Sequence, residues 1–203
     1  MNNKLVIVRG CPGTGKSTFV KEAFPNVLHL ENDMFHYHNG EYLFNQRKQD
    51  SAIEWCIDMT MHSLKRGMDV VVSNTFTKKA FVDSYRKIAD LFGSKFEVYR
   101  MMGNFKNIHE VPRMVLENMK NNFEDYPEEN FVFPNEFYNP SDDMSMKYCT
   151  TGFKTGDRVK LDFNDKEALV TNVHVVSYGM IALDYRDVDG NTGTVYSGDV
   201  EKV

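Results

Sequence analysis

The clearest chemical pattern in the sequence is a glycine-rich loop near its beginning. Its residues match G-x-x-x-x-G-K-[ST] followed by a threonine, and they are Gly10, Cys11, Pro12, Gly13, Thr14, Gly15, Lys16, Ser17 and Thr18. Gly13 and Gly15 permit positive φ angles, so that backbone N–H groups can surround a phosphate. Lys16 is expected to reach the β- and γ-phosphates, and the Ser17 hydroxyl is the expected Mg²⁺ ligand. The loop therefore predicts a binding site for a nucleoside triphosphate with Mg²⁺.

The elements around this loop predict an α/β fold. A β-rich run at Lys4–Arg9 precedes the loop, and a helical stretch to about Phe24 follows it. Further strands are predicted at 27–30, 69–73 and 95–101. Further helices are predicted at 46–66 and at 111–123, and another lies between the strands at 69–73 and 95–101 and ends at about residue 92. Strands that alternate with helices form a parallel sheet through right-handed crossovers. Ligands of such a sheet bind at the carboxyl ends of its strands.

A carboxylate, Asp33, follows the second predicted strand and is therefore expected near the γ-phosphate. A carboxylate there can accept the proton of an acceptor hydroxyl and orient it for in-line attack. It can also hold a metal-bound water, because the third predicted strand runs into Ser73 and Asn74 and offers only the asparagine. Asp33 could also cap a short helix over residues 34–37, and the two roles are compatible.

Other motifs separate the classes of protein that use such a loop. A GTPase would carry a guanine-reading N-K-x-D motif, which the sequence lacks. A motor ATPase would end a strand in a metal-organising acid, whereas the third predicted strand ends in Ser73. Transfer of a phosphoryl group to an acceptor, the reaction of a kinase, is therefore favoured.

At these residues the chain resembles the polynucleotide 5′-hydroxyl kinase group of phages and animals, P-loop kinases that include zeta-toxin-like enzymes. Arg9–Thr18 is similar to the group's R-G-x-P-G-x-G-K-S-T, and Asn32–Phe35 is similar to its x-D-D-[YF]. Three further segments are similar to D-G-x-Y-x-F, D-N-T and the lid motif R-N-x-H-x-V-P, namely residues 39–44, 73–75 and 106–112. The resemblance implies a P-loop kinase fold that uses ATP and Mg²⁺.

The resemblance also implies roles for single residues. Asp33 would be the general base, and Asp33 and Ser17 would be metal ligands. Lys16 and Lys106 would be the catalytic cations, and Lys106 would belong to a lid over the ATP phosphates. His36 would stand where phage enzymes carry an arginine that contacts the acceptor phosphate. The sequence departs from the group at Met34, which replaces an acid, and at Lys106, which replaces an arginine and so presents a point charge instead of a fork. The acceptor implied is a 5′-hydroxyl of DNA or RNA.

A basic patch follows the third predicted strand. Lys78 and Lys79 lie beside Phe76, and Arg86 and Lys87 come one to two turns later. A basic patch with an aromatic residue can bind a nucleic-acid strand, with Asn74 and Lys78 as substrate contacts. The alternative is a solvated helix face.

Two other functions use the same residues. One is a kinase of a nucleoside, a sugar nucleotide or a modified DNA base, with Asp33 still as the base. The other is a nucleotide-dependent binding protein with little turnover, which would bind ATP without needing Asp33 and would hold a protein partner through its C-terminal part.

Charge and strand pattern divide the chain. Residues 1–120 carry a net charge of +4, residues 121–146 a net charge of −7 with no basic residue, and residues 147–203 a net charge of −2. From residue 155 onward, short alternating runs and a turn at Asp189-Gly190 indicate a small antiparallel barrel similar to SH3 domains. We predict a P-loop kinase domain at 1–135, an acidic connector at 136–153 and a small SH3-like β-barrel at 154–203.

The three cysteines bear on location. Cys11, Cys56 and Cys149 are widely spaced and odd in number, which suits a reducing cytoplasm, that of the host if the chain comes from a phage. The apolar run Leu5–Val8 ends at Arg9, so neither a signal peptide nor a membrane span is expected.

Overall fold

The computed structural model describes residues 3–38, 40–105, 111–134, 148–176 and 180–203. They fall into two units, Met1–Glu129 and Asn130–Val203, and each has a hydrophobic core of its own. Within the described ranges, no helix has both the length and the apolar character that crossing a membrane requires.

The first unit alternates strands with helices, as the sequence pattern predicts. Its strands are β1 (Lys4–Arg9), β2 (Leu28–Leu30), β3 (Tyr37–His38), β4 (Glu41–Tyr42), β5 (Val70–Asn74) and β6 (Lys95–Met101). Its helices are α1 (Lys16–Ala23), α2 (Gln49–Lys65), α3 (Lys79–Phe92) and α4 (Arg113–Asn121). Two 3₁₀ turns, Asn32–His36 and Gln46–Lys48, stand on either side of the β3–β4 hairpin.

Four of these strands form a parallel sheet in the order β2-β5-β1-β6. The central strands β1 and β5 are apolar and almost entirely buried, because helices cover both faces of a parallel sheet. This architecture confirms the predicted P-loop kinase fold. The glycine-rich loop leaves the carboxyl end of β1, in the middle of the sheet, and α1 begins directly after it.

The second unit consists of antiparallel strands. It contains β7 (Asn130–Pro134), β8 (Tyr148–Thr151), β9 (Arg158–Leu161), β10 (Glu167–Val175), β11 (Ile181–Asp187), β12 (Thr192–Tyr196) and β13 (Val200–Lys202). The last five form a sheet in the order β12-β11-β10-β9-β13, which confirms the predicted small all-β module. Its closer likeness to an SH3 barrel stays a prediction. Most of the predicted connector, residues 136–147, lies outside the described residues.

A buried ion pair fixes the end of β1 against the chain that follows α4. Arg9 donates from Nη1 to Oε2 of Glu129 at 3.0 Å, and the side chains are 0% and 1% exposed. The other two nitrogens of the Arg9 side chain also donate hydrogen bonds: Nε and Nη2 donate to the Phe76 carbonyl, and Nη2 donates to the Glu124 carbonyl. A buried charge is tolerated only when it is paired and hydrogen-bonded in this way.

The same guanidinium stabilises an unfavourable backbone conformation. Phe76, which follows β5, has a φ of +42°, a region that side chains with a Cβ rarely adopt. Its carbonyl accepts two hydrogen bonds from Arg9, at 2.7 and 3.0 Å. Phe123 lies between two guanidinium groups, with the Cζ atoms of Arg9 and Arg100 each 4.4 Å from its ring centroid. Arg9 therefore joins three segments of the first unit.

Removing Glu129 is expected to destabilise the first unit strongly. Glu129→Ala leaves the Arg9 charge buried without its partner, which costs about 3–5 kcal/mol of the free energy of unfolding. The matched control is Glu117→Ala on α4, which breaks a shorter ion pair, Arg113–Glu117 at 2.7 Å, whose side chains are 91% and 56% exposed. The control should cost no more than about 0.5 kcal/mol. Urea unfolding measures both, and equal losses would contradict the importance of the buried pair.

Candidate nucleotide and acceptor site

The loop after β1 has the backbone geometry of a phosphate cradle. Gly13 and Gly15 have φ angles of +80° and +88°, which their lack of a Cβ permits. Inside the loop, the Thr14 hydroxyl donates to the Cys11 carbonyl at 2.8 Å. The chain after β6 packs on the loop, because the Phe105 N–H donates to the Gly13 carbonyl at 2.8 Å. A Cβ on Gly103 would come within 2.6 Å of the Thr14 carbonyl oxygen, so this close approach requires glycine.

Helix α1 begins with unused donors. Its N-cap is Gly15, no side chain caps its first N–H groups, and its first turn contains no acid. The N-terminus of a helix carries a partial positive charge, and uncapped N–H groups there bind anions. The start of α1 and the loop therefore present donors to the same phosphate.

Lys16 is folded over the loop. Its Nζ donates to the carbonyls of Gly10 and Cys11, at 2.9 and 3.1 Å. Burial lowers the pKa of Lys16, while the charges of Glu31, Cys11 and Asp33 oppose that shift. These two carbonyl contacts are weak partners for an ammonium compared with phosphate oxygens, so Lys16 can move onto a bound nucleotide.

A second carboxylate, Glu31, lies beside the loop and was not among the residues predicted from the sequence. Its Oε1 accepts hydrogen bonds from the hydroxyls of Ser17 and Ser73, both at 2.6 Å. The Nε2 of His29 lies 3.1 Å from the same oxygen. Glu31 therefore contacts the serine that is expected to bind Mg²⁺.

Hydrogen bonding keeps Glu31 ionised. Its partial burial would raise the pKa, but hydrogen bonds from His29, Ser17 and Ser73 outweigh burial and hold the pKa at about 2. A carboxylate with this pKa carries a full negative charge at any physiological pH.

The register of the sheet explains the position of Glu31. Strand β2 runs parallel to β5 with Leu30 beside Val72, so the next residues, Glu31 and Ser73, are neighbours across the two strands. Ser73 occupies the end of the strand on which a metal-organising acid was sought, and the acid instead follows the adjacent strand. The sequence does hold a signal that could have identified Glu31: the third predicted strand lacks an acid near its carboxyl end, and an acid directly follows the second.

Asp33 lies on the 3₁₀ turn that follows β2, at the same edge of the sheet as the loop. Asn74, at the end of β5, holds that turn through two hydrogen bonds to Asn32: its Oδ1 accepts from the backbone N–H at 3.0 Å, and its Nδ2 donates to Oδ1 at 3.1 Å. The negative charge of Asp33 acts on both Lys16 and Tyr42: it opposes the lowering of the Lys16 pKa by burial, and it adds to the raising of the Tyr42 pKa by burial. Its roles as base and as metal ligand stay predictions.

The other predicted substrate contacts are placed as follows. His36 is buried, 1% exposed, between aromatic rings, and Lys78 forms an exposed ion pair with Glu124 at 3.1 Å. Glu124 also accepts from the Lys79 N–H at 2.9 Å and so caps α3. Lys106 lies outside the described residues. None of these contacts with substrate is tested by the structure, and they stay predictions.

The donors at the loop fit ATP with Mg²⁺. Mg²⁺ prefers oxygen ligands and is usually held by one or two carboxylates together with substrate phosphates and waters. Ser17 and Glu31 supply one hydroxyl and one carboxylate at the start of α1. In the described part of the chain, no group of three or more His, Cys, Asp or Glu residues could hold a metal by itself.

Comparisons with known proteins agree with this fold. The AAA domain family model, AAA_33, matches residues 5–101, which contain the loop, Glu31, Asp33 and β5. The chain is 32% identical over 148 residues to the uncharacterized protein PM0531 of Pasteurella multocida (strain Pm70), covering 63% of this chain and 80% of that protein.

Two solved structures are also similar. One is a chain of the Pnkp1/Rnl/Hen1 RNA repair complex, with a TM-score of 0.49 and 17% identity over 60% of this chain and 44% of that one. The other is a sugar kinase from Janibacter sp. HTCC2649, with a TM-score of 0.46 and 15% identity over 64% of this chain and 84% of that one. This chain spans less than half of the first, and at these scores neither likeness bears on the acceptor.

The contribution of Glu31 to stability is expected to depend on pH. Its folded-state pKa, about 2, lies below the ordinary 4.5, so the stabilisation is complete above pH 4.5 and is lost as the pH falls toward 2. At about 1.4 kcal/mol per unit of pKa difference, this stabilisation amounts to at most about 3.5 kcal/mol. Urea unfolding of the wild type and Glu31→Gln should show a difference that is constant from pH 5 to 7 and smaller at pH 3. A difference independent of pH would count against the ionised carboxylate.

Exchanging the acid between the two strands tests its role at the metal. Glu31→Ser should raise the Mg²⁺ concentration needed for half-maximal ATP binding at least about tenfold, because outer-sphere partners of a metal contribute this much. Adding Ser73→Asp returns a carboxylate to the same place and should recover most of the loss. Glu54→Ser, an exposed site on α2, is the control. Titration calorimetry with a non-hydrolysable ATP analogue measures all four proteins, and unchanged Mg²⁺ dependence in Glu31→Ser would refute the role.

Proposed function

The chain belongs to the same family as the Pasteurella multocida protein PM0531, and we propose that it is an ATP-dependent kinase that transfers the γ-phosphate to a hydroxyl acceptor. The observation that carries the proposal is the contact of Glu31 with Ser17 at 2.6 Å, at the edge of the sheet where Asp33 also lies. Glu31 is engaged with the expected metal ligand, whereas Asp33 lies on the 3₁₀ turn that follows β2 and would serve the acceptor.

In the proposed reaction, one set of residues holds the nucleotide and another activates the acceptor. The loop and the start of α1 hold the phosphates by backbone N–H groups, and Lys16 adds a positive charge. When bound, Mg²⁺ neutralises charge on the β- and γ-phosphates. Ser17 and Glu31 would hold that ion, and Glu31 would also keep the serine hydroxyl oriented.

Asp33 would activate the acceptor. Its carboxylate accepts the proton of the acceptor hydroxyl as the oxygen forms a bond to the γ-phosphorus. The bond between that phosphorus and the β–γ bridging oxygen breaks, and ADP leaves. Asn74 would support this step indirectly, since it fixes the turn that carries Asp33. Lys106 is proposed as a lid cation on the resemblance alone.

We favour a 5′-hydroxyl of DNA or RNA as the acceptor. The similarity of residues 32–35, 73–75 and 106–112 to polynucleotide kinase motifs supports it, as does the net charge of +4 over residues 1–120. A nucleoside, a sugar nucleotide or a modified DNA base is the alternative for the same machinery. For the C-terminal unit we propose an SH3-like module that binds a protein partner.

The proposal predicts label transfer from γ-labelled ATP to 5′-hydroxyl DNA or RNA oligonucleotides in the presence of Mg²⁺. Asp33→Asn should lower the rate of transfer at least about 100-fold, the contribution of a positioned general base, while ATP binding stays within about threefold of the wild type. The control is Asp50→Asn, an exposed acid at the start of α2, which should leave the rate unchanged.

The acceptors should be tested as a panel that includes nucleosides, sugar nucleotides and DNA with modified bases. Transfer to one of these alone would keep the kinase and replace the acceptor. ATP binding that Asp33→Asn leaves unaltered, with no labelled product from any acceptor, would instead indicate a nucleotide-dependent binding protein.

A further inference from the structure

Three aromatic side chains on the hairpin after Asp33 are exposed to solvent. Tyr37, Tyr42 and Phe44 are 56%, 38% and 54% exposed, and we call them the ring platform. The ring centroids of Tyr37 and Tyr42 lie 5.2 Å apart, and those of Tyr42 and Phe44 lie 6.4 Å apart with planes inclined by 25°. Contiguous exposed apolar surface of this kind usually marks a binding site.

The platform is held next to the proposed base. Burial raises the pKa of Tyr42, and the charge of Asp33 and its hydrogen bond to the tyrosine hydroxyl raise it further. The Leu43 N–H donates to the His36 carbonyl at 2.8 Å, which ties the end of the hairpin to the 3₁₀ turn. Phe35 on that turn packs against Trp55 of α2, with centroids 6.2 Å apart. The rings therefore keep a defined position relative to Asp33.

A polar group without a partner lies among these rings. The ring of His36 contacts Phe44 and Tyr42 edge-on, at centroid distances of 5.2 and 6.2 Å. Its Nε2 is buried and has no hydrogen-bond partner among the described residues. Buried polar atoms are nearly always satisfied, so the unpaired nitrogen sets this aromatic cluster apart from an ordinary apolar core.

Positive charge follows the platform directly. Arg47 and Lys48 are exposed on the 3₁₀ turn after Phe44, and the Asn45 side chain fixes that turn by accepting from the Arg47 N–H at 3.0 Å. In the described ranges, neither cation belongs to an ion pair. Exposed rings beside cations form the surface that binds single-stranded nucleic acid, because bases stack on the rings and phosphates pair with the cations.

We infer that the ring platform stacks the 5′-terminal base of a single-stranded acceptor, while Arg47 and Lys48 hold phosphates further along the strand. The inference rests on the proposed function and adds to it the surface that selects the acceptor. Stacking tolerates every base because each has a π-face, so recognition here is of a base as such and not of a sequence. A base held against Tyr42 brings the 5′-hydroxyl of its own nucleotide toward Asp33.

The test compares two 5′-hydroxyl oligonucleotides that differ only at the 5′-terminal nucleotide, which carries a base in one and is abasic in the other. The wild type should phosphorylate the base-bearing strand with a KM about tenfold lower. In Tyr37→Ala/Phe44→Ala the two KM values should become equal, with kcat within about twofold and the KM for ATP unchanged. Phe163→Ala, which removes a similarly exposed ring from the second unit, should keep the full difference.

A tenfold difference that persists in the double variant, or equal KM values in the wild type, overturns the inference. Absence of transfer to both strands contradicts the proposed function instead, and fluorescence anisotropy then decides the platform independently. A labelled base-bearing strand should bind the wild type in the presence of ADP about tenfold more tightly than the double variant. Equal binding, or none, overturns the inference in that case as well.

Discussion

The site depends on the buried ion pair between Arg9 and Glu129. Burial lowers the pKa of Arg9, and the carboxylate of Glu129 opposes that shift, so the guanidinium keeps its charge where water cannot reach it. Arg9 is the last residue of β1, immediately before the glycine-rich loop, and it also holds the backbone after β5 and the chain after α4. One side chain thus fixes the start of the phosphate cradle against two segments that are distant in the sequence. An unpaired guanidinium at this place would be costly, which explains why each of the three nitrogens of the Arg9 side chain donates at least one hydrogen bond.

The position of the acidic residues follows from the parallel sheet. The strand that would be expected to carry a metal-organising acid near its carboxyl end carries Ser73 there instead, and Oε1 of Glu31, which directly follows the neighbouring strand, accepts from the Ser73 hydroxyl at 2.6 Å. Parallel strands bring their carboxyl ends to one edge, so an acid can change strands and still contact Ser17. Because Glu31 is the residue that contacts Ser17, Asp33 can have another role. Asp33 lies two residues later, beside Tyr42 of the hairpin. In the proposed mechanism, Glu31 serves the metal and Asp33 serves the acceptor, so that two carboxylates of one short segment have different roles.

Much of the fold could be predicted from the sequence, because burial and backbone conformation restrict which residues can form its central strands and its loop. The strands β1 and β5 are short apolar runs, as expected of strands that helices cover on both faces, and the glycines of the loop indicate its backbone conformation. Glu31 was missed because its partner Ser73 is 42 residues away and only the strand register brings them together. Glu129 was missed for the same reason, since 120 residues separate it from Arg9. The β3–β4 hairpin has strands of two residues, too short for any periodicity to appear.

A crystal structure with a non-hydrolysable ATP analogue and Mn²⁺ in place of Mg²⁺ tests the central claim most directly, because anomalous scattering locates the metal. The account predicts a metal about 2.1 Å from Ser17 Oγ, with the Glu31 carboxylate bound to it directly or through one water. It also predicts that Lys16 Nζ leaves the carbonyls of Gly10 and Cys11 for the phosphates. A metal remote from Ser17 and Glu31, or a Lys16 that stays on the two carbonyls with nucleotide bound, would contradict it.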